Sequence, residues 1–191
     1  MNIHRFIART RAEGPGLRAA VWVQGCSRRC KGCFAVETWS HEPNIIISPG
    51  TLAEKIMTES DIEGVTLLGG EPFEQAHEVA QFLRPIRDAE LSVIVFTGGD
   101  LDKLHESTDP DIQSIIDCSD VIIDGRYDES LRDFSRPMAG SSNQRFHFLT
   151  ERYRYEDFPP NRTEVRIMPD GSVQFNGMGD FDKLKKKFDL I

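Results

Sequence analysis

Three cysteines lie close together near the amino end of this chain, at Cys26, Cys30 and Cys33. Thiolates with this spacing are ligands for soft metals, and they suit an iron–sulfur cluster or zinc. The odd number of thiols is informative, because three protein ligands leave one coordination position for another molecule. The spacing therefore predicts a metal centre at which chemistry takes place.

Basic side chains alternate with these thiols, at Arg28, Arg29 and Lys31. Their positive charge favours ionised sulfur and offsets the negative charge of a thiolate-ligated cluster. Any one of them alone is explained equally well as a solvated loop charge. Their combination favours a role at the metal centre.

A structural zinc site is the alternative to a cluster. It would need His41 or Cys118 as the fourth ligand, and the chain would then be a non-catalytic zinc-binding interaction module. Cys118 lies far outside the ligand spacing of zinc fingers, and we expect it to be an inert buried thiol. These four cysteines do not predict a disulfide framework and fit a reducing compartment.

The elements that position the cysteines follow an alternating pattern. An apolar run at 19–23 predicts a buried strand that delivers the thiols at its carboxyl end. Further predicted elements are an edge strand at 3–9, strands at 64–70, 92–96 and 120–125, and helices at 49–60, 76–86 and 109–117. We expect the first of these helices to turn Leu52, Ile56 and Met57 inward, and Asp109 to cap the last. This alternation predicts an α/β fold with a parallel sheet.

Distinctive residues follow four of the predicted strands. They are the three cysteines and the segments Gly69–Pro72, Thr97–Gly99 and Asp124–Arg126. Ligands of parallel sheets bind beyond the carboxyl ends of the strands, so we expect these segments to meet at one rim. After Tyr127 the pattern loosens, with strands predicted at 146–149, 163–168 and 172–176 and a helix at 181–188.

Length and charge bound the remaining possibilities. A chain of 191 residues predicts one domain, 1–191, with a core to about 150 and appended strands and a helix at 151–191. The net charge of −8 argues against nucleic-acid binding. No apolar run is long enough to cross a bilayer and the amino end lacks a signal-peptide pattern, so we expect a cytoplasmic protein without membrane attachment.

On these motifs the chain resembles the radical S-adenosylmethionine enzymes. The cysteine loop followed by Phe34 is similar to the cluster loop of that family, Gly69–Pro72 resembles its GGEP motif, and Asp124–Arg126 resembles its acid-x-base segment. The resemblance implies a 4Fe–4S cluster held by the three cysteines. It also implies that S-adenosylmethionine binds the fourth iron and is cleaved by one electron to a 5′-deoxyadenosyl radical.

The resemblance also implies roles for individual residues. Glycines permit close approach of the backbone, a carboxylate such as Glu71 pairs with the methionine ammonium, and Arg126 suits the methionine carboxylate. Asp124 would contact the ribose, although a loop cap explains it as well. The cofactor-binding residues we predict are Phe34, Gly69, Gly70, Glu71, Thr97, Asp124 and Arg126.

Within this family the chain is similar to the activating enzymes of glycyl-radical proteins, at Gly14–Arg18, Val23–Cys26 and Glu37–Trp39. The segments Asp124–Tyr127 and Gly140–Arg145 resemble the activases of anaerobic ribonucleotide reductases in particular. This implies a glycyl-radical enzyme of that kind as partner and a flavodoxin or ferredoxin as electron donor. At Phe34–Val36 the sequence departs from the pattern of these activases, which leaves the identity of the substrate open. The alternative is a radical enzyme that modifies a small metabolite or peptide.

The fold implied by the family is an incomplete parallel (β/α) barrel of radical S-adenosylmethionine type with a short mixed C-terminal extension. A chain this short covers only part of a full barrel, and it leaves the sheet open on one side. An open side suits a macromolecular substrate better than a small one.

Overall fold

The computed structural model describes residues 1–179, and the helix predicted at 181–188 lies outside them. A seven-stranded sheet forms the centre, in the order β3-β1-β2-β4-β5-β6-β7. Its strands are β1 (Asn2–Thr10), β2 (Arg18–Val23), β3 (Ile45–Ile46), β4 (Gly64–Gly69), β5 (Ser92–Phe96), β6 (Val121–Asp124) and β7 (Arg145–Phe148). A separate hairpin follows, formed by β8 (Thr163–Ile167) and β9 (Val173–Gly177).

The centre of the large sheet is parallel, as the alternating pattern predicts. Strands β2, β4, β5 and β6 run in parallel, while β1, β3 and β7 pair antiparallel at the two sides. The predicted edge strand at 3–9 is wrong in one respect, because β1 pairs with β2 on one side and with β3 on the other. Two residues carry too little periodicity to reveal β3. Over the described residues the sheet is open at both edges.

Four α-helices accompany the sheet: α1 (Pro49–Met57), α2 (Ala76–Asp88), α3 (Leu101–His105) and α4 (Pro110–Cys118). The amino end of α4 is capped as predicted, because the Asp109 side chain accepts a hydrogen bond from the backbone N–H of Asp111. On α1, Leu52 and Ile56 are fully buried, but Met57 is 39% exposed, so its predicted inward position is wrong. Among residues 1–179 no helix combines the length and the apolar composition needed to cross a bilayer.

The two faces of the sheet are covered by different parts of the chain. Successive side chains of a strand point to opposite faces. On β5 and β6, Val93, Val95 and Ile122 therefore pack with the helices, while Ile94 and Ile123 pack on the second face with Met138, Tyr153 and Phe158. The segments before and after β7 thus cover part of the face that the helices leave open.

A buried arginine links the strands to the segment that covers this second face. The Arg18 guanidinium is 0% exposed and donates to Thr66 Oγ1 at 2.7 Å and to Ser92 Oγ at 3.2 Å. The Tyr153 hydroxyl donates to the Glu63 carboxylate and is hydrogen-bonded to the Ser92 hydroxyl at 2.8 Å. Because a buried cation must have its donors satisfied, this network ties β2, β4 and β5 to the C-terminal segment.

Candidate active site

The predicted segments meet at one rim of the sheet. A cavity of about 830 Å³ lies at the carboxyl ends of β2, β4, β5 and β6. Residues from each of the four segments line it, together with β9. From the four segments these are Cys26, Cys30, Cys33, Gly69, Gly70, Glu71, Thr97, Gly98 and Gly125. The convergence expected from strand topology is therefore confirmed.

The cysteine loop presents three free thiols to this cavity. Cys26 and Cys30 are 9% and 8% exposed. Burial raises the pKa of the Cys26 and Cys33 thiols, although backbone N–H groups of the loop partly oppose it at Cys26. Metal binding would supply the positive charge that ionised thiols need in such a site.

The cavity fits a sulfur-rich cluster. The indole N–H of Trp39 is buried in the cavity wall and donates to the Cys33 sulfur, which partly opposes the effect of burial on the pKa of Cys33. Cluster sulfurs accept hydrogen bonds of this kind. Among residues 1–179, no three His, Cys, Asp or Glu side chains converge on the point that a single ion would occupy.

Glu74 holds the cysteine loop against the sheet. Its carboxylate accepts hydrogen bonds from the backbone N–H of Ser27 at 3.0 Å and from the Ser27 hydroxyl, and it contacts His41 Nε2 at 2.9 Å. Burial alone would raise the pKa of Glu74, but the bonds from Ser27 and His41 outweigh it and hold this pKa below its usual value. His41, the alternative zinc ligand, therefore engages a carboxylate.

Glu71 lies at the end of β4 with both carboxylate oxygens occupied. It is 1% exposed. Its Oε1 accepts from Thr97 Oγ1 at 2.8 Å and from Phe73 N at 3.3 Å, while its Oε2 accepts from Gly98 N at 3.0 Å and Arg28 Nε at 2.5 Å. Among these donors Arg28 has the longest and most flexible side chain, so it is the one that a ligand can displace.

The two glycines before Glu71 allow the backbones of β2 and β4 to approach closely. Gly69 has a φ of 101°, and a Cβ there would lie 2.8 Å from Trp22 Cα. A Cβ on Gly70 would lie 2.3 Å from the carbonyl oxygen of Gly25. Side chains at these positions would therefore push the GGEP segment away from the strand that carries the cysteines.

Asp124 lies at the end of β6 and is fully buried. Its carboxylate accepts from Leu101 N at 2.8 Å and from Arg145 Nε at 3.0 Å, and it contacts His147 Nε2 at 3.0 Å. Burial alone would raise the pKa of Asp124, but these partners, Arg145 first, hold it below its usual value. Arg145 and His147 both come from β7, a contact that the sequence did not reveal.

Arg126 faces a second cavity of about 590 Å³ that shares Arg28, Gly98 and Gly125 with the first. Its Nη2 donates to the carbonyl oxygen of Arg28 at 2.5 Å. Lys103, Arg145 and Asp100 also line this cavity, and Arg145 is paired with Asp100, so Arg28, Arg126 and Lys103 leave the lining with an excess of positive charge. A negatively charged group would be favoured there.

Phe34 closes the carboxyl end of the cysteine loop. It is 40% exposed, and its ring lies 5.0 Å from the ring of Tyr127 and 5.5 Å from that of Phe134. Phe34 and Tyr127 both line the main cavity. The predicted cofactor residue thus belongs to an aromatic cluster at the wall.

The sequence of this chain is similar to those of known proteins. The family model described as a 4Fe-4S single cluster domain matches residues 12–147. The anaerobic ribonucleoside-triphosphate reductase-activating protein of Escherichia coli (strain K12) is 30% identical over 161 residues, covering 78% of this chain and 99% of that protein. The proteins of the same name from Vibrio cholerae and from Enterobacteria phage T4 are each 28% identical. They cover 78% and 79% of this chain, and 99% and 96% of the relatives.

Proposed function

We propose that this chain installs a glycyl radical on an anaerobic ribonucleoside-triphosphate reductase. It does so as a radical S-adenosylmethionine enzyme. The chain belongs to the 4Fe-4S single cluster domain family and, with a relative that is 30% identical, to the anaerobic ribonucleoside-triphosphate reductase-activating proteins. The observation that carries the proposal is that three free thiols, the Trp39 indole and Glu71 line one and the same cavity.

The cofactors follow from the donor set of the cavity. Cys26, Cys30 and Cys33 would hold the 4Fe–4S cluster, and the Trp39 N–H would donate to one of its sulfurs. When bound, the cluster supplies the electron that cleaves S-adenosylmethionine. Glu74 keeps the loop in place through Ser27, so the thiols are positioned before the cofactors arrive.

Glu71 and Arg28 would bind the methionine moiety by exchange of partners. An N–H of the methionine amino group would replace Arg28 at Glu71 Oε2, while Thr97 and the backbone of Gly98 keep the carboxylate oriented. The released Arg28 would remain beside the positively lined cavity with Arg126, where a carboxylate is favoured. Gly69, Gly70 and Phe34 would shape the wall around the same cofactor.

The predicted contact of Asp124 with the ribose stays a prediction, and its surroundings favour a supporting role. The carboxylate already has Arg145, His147 and the backbone of Leu101 as partners. It would therefore hold the turn that leads to Gly125 and Arg126. A ligand would reach Asp124 only by displacing one of these donors.

The finer features of fold, partners and location belong to the same proposal. The parallel centre and open edges of the sheet support an incomplete (β/α) barrel of radical S-adenosylmethionine type, in one domain whose C-terminal part is an extension. The exposed cations Arg29 and Lys31 on the cysteine loop favour an acidic electron donor such as flavodoxin or ferredoxin. Free thiols fit a reducing cytoplasm.

Anaerobic reconstitution with iron and sulfide, followed by reduction and S-adenosylmethionine, tests the proposal. The wild-type protein should release 5′-deoxyadenosine and produce a glycyl-radical electron paramagnetic resonance doublet on an anaerobic ribonucleoside-triphosphate reductase. The Cys30→Ala variant should do neither, and Cys118→Ser should behave as wild type. Release of 5′-deoxyadenosine without a doublet would favour a small metabolite or peptide as substrate. Bound zinc without cleavage would overturn the enzyme assignment.

A further inference from the structure

The C-terminal hairpin forms part of the reaction cavity. Strands β8 and β9 lie beyond residues 12–147, the part of the chain that the family model matches. All residues from 173 to 179 line the same cavity as the three cysteines and Glu71. A segment outside the matched region therefore forms one wall of the site.

The amino-terminal strand holds this hairpin at β8. The Glu164 carboxylate accepts from Thr10 Oγ1 at 2.8 Å and from Arg11 N at 2.7 Å. Arg5, whose guanidinium lies 3.9 Å from the centre of the Trp22 ring, donates from Nη1 to the carbonyl oxygen of Phe175 at 2.8 Å. The hairpin is thus fastened directly to the strand next to β2.

A second anchor fixes the position of β9. Glu13 Oε1 accepts from Gly177 N at 2.6 Å and from Asn176 Nδ2 at 3.2 Å. Gly177 has a φ of 96°, and a Cβ there would lie 2.1 Å from the carbonyl oxygen of Arg162 and 2.8 Å from Ala12 Cβ. Because the backbone is this close to its neighbours, the register of β9 against the cavity is set by the fold.

The chemistry of the wall suits a peptide. Gln174 is exposed and lines the cavity, and its side-chain amide offers both a donor and an acceptor to a peptide backbone. Trp22, Phe175 and Met178 line the same cavity and add apolar surface to it. A loop that presents glycine can approach such a wall because it carries no side chain at the reacting position.

We propose that β9 is the specificity-determining wall of this site, and that Gln174 contacts the backbone of the glycine-bearing loop. The inference rests on the proposed function, because it takes that loop as the substrate. The hairpin positions the loop beside the cofactors and restricts entry to extended, glycine-containing segments. Specificity therefore resides in a segment that lies outside the family match.

The experiment compares Gln174→Ala with a matched control on the same hairpin, Ile167→Ala, whose side chain is 80% exposed and does not line the cavity. The dissociation constant for an anaerobic ribonucleoside-triphosphate reductase is measured by calorimetry under anaerobic conditions with the reconstituted proteins. Loss of one hydrogen bond should weaken binding roughly fivefold in Gln174→Ala. The control should bind like the wild type. The yield of glycyl radical per 5′-deoxyadenosine should fall in Gln174→Ala alone.

Hydrogen exchange provides a readout that does not depend on catalysis. The reductase should slow amide exchange within 173–178 of the wild type, and a Gln174→Trp variant, which places a much larger side chain at this wall, should abolish binding. The role of β9 would be overturned if the reductase left amide exchange within 173–178 of the wild type unchanged and if Gln174→Ala and Gln174→Trp bound it as the wild type does, while the wild type still formed the radical. Failure of the wild type to form any glycyl radical would instead refute the proposed function.

Discussion

Glu13 is the buried acid whose titration should dominate the stability of this fold near neutral pH. The side chain is 2% exposed, and burial raises its pKa from 4.5 to about 7. The hydrogen bonds from Asn176 and Gly177 favour the ionised form and oppose the effect only in part. The folded protein therefore keeps a proton on Glu13 that the unfolded chain releases.

The sign and size of the effect follow from this difference. Between about pH 4.5 and 7 the folded state binds more protons than the unfolded state, so the free energy of unfolding falls as pH rises. The difference between a pKa of 4.5 and one of about 7 corresponds to about 3 kcal/mol. The free energy of unfolding is lower by this amount above pH 7 than below pH 4.5. A Glu13→Gln substitution removes the titration and keeps an acceptor for Gly177 N.

Urea denaturation of the metal-free protein, followed by tryptophan fluorescence at pH 5, 6, 7 and 8, measures the effect. The stability of Glu13→Gln relative to wild type should rise by roughly 2–3 kcal/mol across this range. Subtracting the two proteins cancels all other titrating groups. In the control Glu164→Gln the difference should stay flat, because hydrogen bonds from Arg11 and Thr10 outweigh burial and hold the Glu164 pKa below 4.5. A flat difference for Glu13→Gln as well would refute the reasoning.

Three further substitutions test the site. Gly70→Ala should prevent full iron loading on reconstitution, since its Cβ would lie 2.3 Å from the Gly25 carbonyl oxygen; normal iron content would show that this close approach is dispensable. Glu74→Ala should speed alkylation of the three thiols in the metal-free protein several-fold, because Ser27 loses its acceptor; mass spectrometry measures the rates, and unchanged rates would exclude an anchoring role. Asp124→Ala should lower the free energy of unfolding by about 3 kcal/mol, because it leaves Arg145 and His147 without their shared carboxylate; denaturation checks this, and a change below 1 kcal/mol would contradict it.

The sequence was sufficient where local patterns determine the outcome. The apolar stripe of α2, the cap at Asp109 and the strand ends that carry the cysteines and Glu71 all follow from spacing and residue type. Their convergence follows from parallel topology. These features needed no knowledge of contacts between distant parts of the chain.

The sequence was insufficient where distant segments meet. The partners of Asp124 come from the antiparallel strand β7, and those of Glu13 come from β9, so neither environment can be read from neighbouring residues. The surface position of Met57 likewise depends on where α1 ends against the sheet. Pairing of β1 on both sides also required the two-residue strand β3, which has no pattern of its own.

Labelled S-adenosylmethionine on the reduced, reconstituted protein tests the central claim most directly. The claim is that Cys26, Cys30 and Cys33 leave one iron of the cluster open to the cofactor. Electron–nuclear double resonance with ¹⁵N in the amino group and ¹⁷O in the carboxylate should show both nuclei coupled to the cluster, and Cys30→Ala should lose the signals. A loaded, reduced cluster with neither coupling would mean that no iron is open to the cofactor.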